Sequence, residues 1–296
     1  MKNHMNNSLL RFHLKSFRVL GWGVTFLAFV TLNLPLSSCF AQGSLTPPGA
    51  PAATFKTLTQ VEPRFPISDY QTNLTIPGSY YLTTNLFSGN NSNDAINIRT
   101  NVSNITIDLN GFSIICTNPA GGASPVGVRI SEGTNIVVRN GQFSGFDRAI
   151  RAEGLFYAVV CEDLHVRGCR RAGIEGNGVV GDATQTITVR NCVVESVDGT
   201  GEATNVSVDG MVFLNCTAVV DSCVVRDIVA AGTGASSCIN ASFATNTFIN
   251  NNYLSNADVG LRTSGSGTRV YYRNNLTAGC GTPFSVAGAV DRGGNF

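Results

Sequence analysis

Four residues recur at one offset and carry the chemistry this chain could do. Arg129, Arg151, Glu175 and Arg262 each follow a small residue and a large aliphatic one, in Gly127-Val128-Arg129, Ala149-Ile150-Arg151, Gly173-Ile174-Glu175 and Gly260-Leu261-Arg262. A guanidinium fork takes a carboxylate bidentately, so such a column suits an acidic polymer such as a uronate polysaccharide. Elsewhere the same slot reads Asn97, Val212 and Asn240. A calcium-dependent lyase would need two or three carboxylates to hold the metal against the uronate, and an Arg or Lys as base. In this column Glu175 is the sole carboxylate, while Asp147, Asp209 and Asp258 enter the strand from its preceding turn. The column therefore reads as substrate-binding. No catalytic residue and no metal ligand is assigned, no cofactor is expected, and calcium enters only if the protein is a lyase.

What positions the column is a repeat. Alternating apolar residues, a polar turn residue and a second short apolar strand recur as NITIDLNGFSI (104–114), NIVVRNGQFSG (135–145), YAVVCEDLHVRG (157–168), TITVRNCVVES (186–196), TAVVDSCVVRD (217–227), NTFINNNYLSN (246–256) and RVYYRNNLTAG (269–279). The turn position reads Asn110, Asn140, Glu162, Asn191, Ser222, Asn251 and Asn274. Asn tolerates left-handed backbone and can hydrogen-bond its neighbours, as a sharp bend between strands requires. The triplets above supply a third strand, whose middle residue is expected to point inward and whose neighbours outward. Val128, Ile150, Ile174, Met211, Ile239 and Leu261 would then form one internal stack. Three strand types recurring in fixed order specify a stack of three-strand coils: an all-β, right-handed, single-stranded parallel β-helix, a solenoid.

The organisation along the chain follows. Residues 1–41 hold Lys2, Arg11, Lys15 and Arg18, no acidic residue, and an apolar run from Val19 to Leu36, which reads as a signal peptide. Cleavage after Ala41 would release a soluble protein. Leu36-Ser37-Ser38-Cys39 is also a possible lipobox, with a lipid anchor at Cys39. Residues 42–53 are a Pro/Gly/Ala-rich tether, and 54–296 form the β-helix with its N- and C-terminal caps. Beyond residue 41, 16 basic groups face 19 acidic ones, and Lys56 is the only lysine. A weakly acidic, Lys-poor surface is no nucleic-acid binder. No membrane span is expected after processing. The eight cysteines beyond Cys39 permit disulfides in an exported chain without specifying any pairing.

LTPPGAPAATFKTLTQVEPRFPIS, IPGSYYLTTNL, ITIDLNGFSI and IVVRNGQFSGF resemble a family of exported right-handed β-helix proteins of planctomycete and verrucomicrobial bacteria, with the pectin-lyase-like fold. The resemblance implies fold and export, not a reaction. The Asn-Thr-Asp, Asp-Asp, Gly-His-Gly and Arg-Ile-Lys motifs of polygalacturonase-type hydrolases are absent, and His165 is the only His after residue 41. It sits on the strand after the Asn turn, as a structural or surface residue. Tyr271 and Tyr272 lie on another strand than the Arg column and read as part core. The expectation is an exported protein (secreted, periplasmic or outer-membrane-associated) that binds polysaccharide or another envelope component without catalysis. The alternatives are a polysaccharide lyase acting on uronates through Arg129 or Arg151, and a structural stalk without ligand.

Overall fold

A computed structural model describes residues 63–88, 93–117, 124–202, 206–265 and 267–296. The signal peptide, the Cys39 lipobox and the tether lie outside the described residues. Every strand pairing among the described residues is parallel, and the strands fall on three faces. The first face includes Gly78–Leu82, Ile105–Asp108, Thr186–Arg190, Thr217–Asp221, Thr247–Asn250 and Val270–Arg273. The second includes Ser113–Cys116, Val193–Asp198, Val224–Val229 and Tyr253–Ser255. The strands Gly133–Ser144 and Phe156–Arg167 run through the corner and join these two faces into one sheet. The third face is the separate sheet Thr72–Leu74, Ile96–Ile98, Val126–Ile130, Arg148–Gly154, Ala172–Gly178, Val208–Leu214, Ser236–Ser242, Val259–Thr263 and Thr282–Val286. The repeat read from the sequence is therefore a β-helix.

Burial explains the register. Val128, Ile150, Ile174, Met211, Ile239 and Leu261 are each paired to the next and fully buried. A one-residue slip would send this whole column to solvent, so the stack holds each coil in place. The expectation that both neighbours of this residue point outward is corrected on one side. The preceding small residue also turns inward, because the chain has just rounded the corner from the second face. A Cβ on Gly127 would lie 2.6 Å from Phe143 Cδ1, one on Gly173 2.4 Å from Val194 Cγ1, and one on Gly210 2.3 Å from Val225 Cγ1. The slot is small because a second-face core side chain fills it.

The corners are made by residues with positive φ. Asn110, Asn140, Asp163, Asn191, Ser222, Asn251 and Asn274 have φ between 53° and 60°. The expected Glu162 is thus displaced by Asp163, because Glu162 remains in the strand, paired with Arg139 and Arg190. Asn140 Nδ2 donates to Asp108 Oδ1 at 3.0 Å, and Asn274 Nδ2 to Asn251 Oδ1 at 3.2 Å. The other two corners use the same device. Asn135 Nδ2 donates to Asn104 Oδ1 (3.0 Å) where the third face meets the first, and Asn256 Nδ2 to Asp227 Oδ1 (2.7 Å) where the second meets the third. All four of these residues have positive φ. One position further inside, buried Asn252 donates to Asn275 Oδ1 and Asn275 to Asn295 Oδ1, each at 3.0 Å.

None of the eight described cysteines is in a disulfide, and all are buried except half-buried Cys280. Burial pushes the Cys161, Cys169 and Cys216 thiols up to about 12. They act as small core residues, not nucleophiles.

Substituting Ile150→Asp would put an unpaired charge in the internal stack, at a cost of at least about 4 kcal/mol. The expected outcome is loss of soluble folded protein, checked by gel filtration and thermal melting. A soluble variant that melts cooperatively near the wild-type temperature would overturn the inward assignment.

Candidate functional site

The third face carries the Arg column as expected. Arg129 is paired with Asn97 and Arg151, Arg151 with Glu175, Glu175 with Val212, Val212 with Asn240, and Asn240 with Arg262. Like charges on adjacent strands repel, so Arg129 beside Arg151 needs an anion. The protein supplies its own. Glu153 accepts from Arg129 Nη1 and lies 3.0 Å from Arg151 Nη2. Asp94 accepts from Arg129 Nε, and Glu175 Oε1 accepts from Arg151 Nε at 3.1 Å. Arg148 then bridges Glu175 to Asp147. Beyond it, Arg170 Nη1 and Arg171 Nη2 hold Glu202 at 2.9 and 3.3 Å, with Asp147 Oδ1 within 3.6 Å of both arginines.

Glu175 is the sole carboxylate of its column, as read, but Glu153 joins it from a neighbouring column of the same face. Glu153 lies two residues past Arg151 on the same strand, so both side chains leave the same side of the sheet. That neighbour was readable and was missed. Asp94 and Glu202 arrive from turns between strands, with no repeat position to announce them. The carboxylates of a lyase are present, yet arginines occupy them, and no group of three or more metal-holding side chains occurs among the described residues. Burial pulls the Arg129 pKa down, but the hydrogen bonds and charges of Asp94 and Glu153 outweigh it, and the net shift is upward. That is the wrong direction for a base. Arg262 stands apart from the network, beyond Val212 and Asn240, and forms no ion pair among the described residues.

Asp209 is the most perturbed carboxyl here. Burial lifts it to about 6, against a hydrogen bond from Asn240 Nδ2 (3.1 Å) and the charge of Arg262. Burial also raises Asp147, against Arg148, Arg171 and Arg170. His165 lies on the second face with Nε2 2.8 Å from Glu195 Oε1, away from this network.

The first face bears an aromatic arrangement, and of the two tyrosines read as part core only one is fully so. Tyr272 is core, 6% exposed, but Tyr271 alternates outward and is paired with Phe248, which is 44% exposed. Their rings stack with centroids 5.2 Å apart and planes 20° from parallel. Arg292 lays its guanidinium carbon 5.1 Å from the Tyr271 centroid. Asn246, Asn250 and Arg273 complete the walls of a cleft of about 760 Å³. Asn250 is paired with Arg273, so a polar column runs two residues from the aromatic one. An apolar strip flanked by amide and guanidinium donors suits an oligosaccharide, since a sugar has an apolar ring face and a polar rim.

No protein-family model and no curated protein matches the chain. Among solved structures it is similar to the enzymatically active domain of tailspike protein 2 from bacteriophage CBA120, with 11% identity and a TM-score of 0.50, over 74% of this chain and 35% of that one. What the two share is the parallel β-helix. It also aligns with tailspike protein gp49 of the Acinetobacter baumannii bacteriophage Fri1, a capsular polysaccharide depolymerase, with 11% identity and a TM-score of 0.19, over 74% of this chain and 56% of that one. The chain thus spans about a third and just over half of these two proteins.

The raised Asp209 gives a pH test. Its folded pKa, about 6, exceeds the ordinary carboxylate value of 3.8. Between those values the folded state holds a proton that the unfolded state has released. Its contribution to stability therefore falls as pH rises from about 4 to about 6, by at most about 3 kcal/mol. Asp209→Asn removes the buried charge, so it is expected to melt higher than wild type at pH 8, with the difference vanishing near pH 4. Melting curves across that range check this.

Proposed function

We propose that this is an exported glycan-binding protein that presents one face of a rigid β-helix to polysaccharide and does no chemistry on it. The observation that carries the reading is the stacked Phe248–Tyr271 platform inside a cleft edged by Asn246, Asn250, Arg273 and Arg292. Aromatic side chains at a surface expose apolar area that water does not favour, and these two, stacked on adjacent coils, present one continuous apolar strip. The likeness to the tailspike domain of bacteriophage CBA120 is one of fold, so the ligand class is argued from this cleft. Export rests on the sequence of residues 1–41. No helix among the described residues is long and apolar enough to cross a membrane.

A polysaccharide lyase is the second reading. What favours it is the gathering of Glu153 and Glu175 around Arg151. Against it stands the occupation of each by the other, which leaves no free base and no free metal ligand in that group.

Affinity electrophoresis and co-sedimentation of the purified protein with a panel of neutral and acidic polysaccharides test both. Tyr271→Ala is expected to weaken binding roughly tenfold, about 1.4 kcal/mol, with its melting curve kept because Tyr271 faces outward. Unchanged binding in that variant would move the site off this cleft. Ultraviolet absorbance from unsaturated sugar ends, abolished in Arg151→Ala, would establish the lyase instead.

A further inference from the structure

The polar column of the first face is a ladder of charges. In strand order it reads Asp108, Arg139, Glu162, Arg190, Asp221, Asn250 and Arg273. Signs alternate through Asp221, and neighbours pair: Arg139 Nη2 lies 3.2 Å from Asp108 Oδ2, and Arg190 grips Glu162. Alternation then breaks. The cation expected after Asp221 is instead the neutral amide Asn250, and Arg273 stands where the next carboxylate would fall. On the following coil the chain continues with Arg292, whose amide donates to Tyr272 O at 2.8 Å, bringing a second cation to the same cleft. Arg273 and Arg292 are both exposed, and neither has an ion pair among the described residues.

The two carboxylates nearest along the chain and the ladder are engaged elsewhere. Asp221 accepts from Ser222 Oγ at 2.9 Å and Asn251 Nδ2 at 2.8 Å. Asp291 accepts from the Gly293 amide at 2.7 Å and from Asn295 Nδ2 at 2.5 Å. The contrast with the third face is direct. There, adjacent arginines are bridged by Glu153; here, two arginines share a cleft with no carboxylate between them.

We infer that this cleft selects glycans whose sugars carry a carboxylate, with the apolar side of the sugar against the Phe248–Tyr271 strip and the carboxylate held by Arg273 and Arg292. The inference rests on the glycan-binding reading of this cleft and adds the sign of the ligand. A guanidinium fork matches a planar carboxylate with two parallel N–H···O bonds. Asn250 and Asn246 remain for hydroxyl groups, since each amide both donates and accepts. The arginines are exposed, so their attraction to the ligand is screened by salt, whereas stacking is not.

Titration calorimetry of the full-length protein against uronate oligosaccharides and neutral oligosaccharides of equal length tests this. At low salt the uronates are expected to bind at least about tenfold tighter, a gap that closes between about 0.01 M and 1 M salt. Arg273→Gln and Arg292→Gln should each remove most of that gap by lowering uronate affinity far more than neutral affinity, while Tyr271→Ala weakens both ligands by a similar factor. Equal affinity for neutral and uronate sugars, unmoved by either Arg variant, would overturn the inference and leave the glycan-binding reading standing. No binding of either class by wild-type protein would sink both.

Discussion

Parallel pairing at about 4.8 Å makes each coil the template for the next. A side chain of a given kind then lies directly over its equivalent, and every property of this molecule is organised as a column. The internal stack from Val128 to Leu261, the Asn ladders at the corners, the Arg–Glu network and the stacked aromatic pair are four results of one register. The apolar columns fix that register, because a slip exposes all of them at once. The polar columns only inherit it. This explains why charges of one sign can be adjacent at all: the core dictates their spacing, and the surface must find counterions afterwards.

Two solutions to that problem lie on different faces. On the third face the counterions are internal, and Asp94, Glu153, Glu175, Asp147 and Glu202 absorb the arginines around them. On the first face the compensation stops at Asn250. A surface that neutralises itself gains little from a ligand, since any incoming anion must displace a resident one. A surface that leaves two guanidiniums in place beside exposed rings gains both charge compensation and apolar contact. In the proposed reading the functional weight shifts from the residues that looked most chemical in the sequence to the pair of strands that looked least so.

The fold was legible because its constraint is periodic. The small–aliphatic–polar triplets named the inward column residue by residue, and the outward Arg column came with it. Turn chemistry was legible to within one position, Asp163 standing where Glu162 was expected, and one of three corners was seen. The site was less legible, for definite reasons. Ion-pair partners such as Asp94 and Glu202 come from turns whose lengths vary, so no spacing announces them. Tyr271 and Tyr272 are adjacent letters on opposite sides of a strand, and only the pairing with Phe248 decides which is surface strip and which is core. The break at Asn250 is visible in the sequence, but its meaning depends on knowing that Asp221 and Arg273 flank it in space.

The corner residues set a scale for change. Because each coil closes on itself through three tight bends, the structure can lengthen only by whole turns of the spiral, while added loop residues bulge out at a corner. Distances between features along the axis are thus quantised: the aromatic cleft and the self-neutralised face are separated by a whole number of rungs and by a fixed rotation. Inserting or removing one coil between them would slide one feature past the other by a single rung and leave each intact. The molecule is a ruler whose marks can be moved only one division at a time.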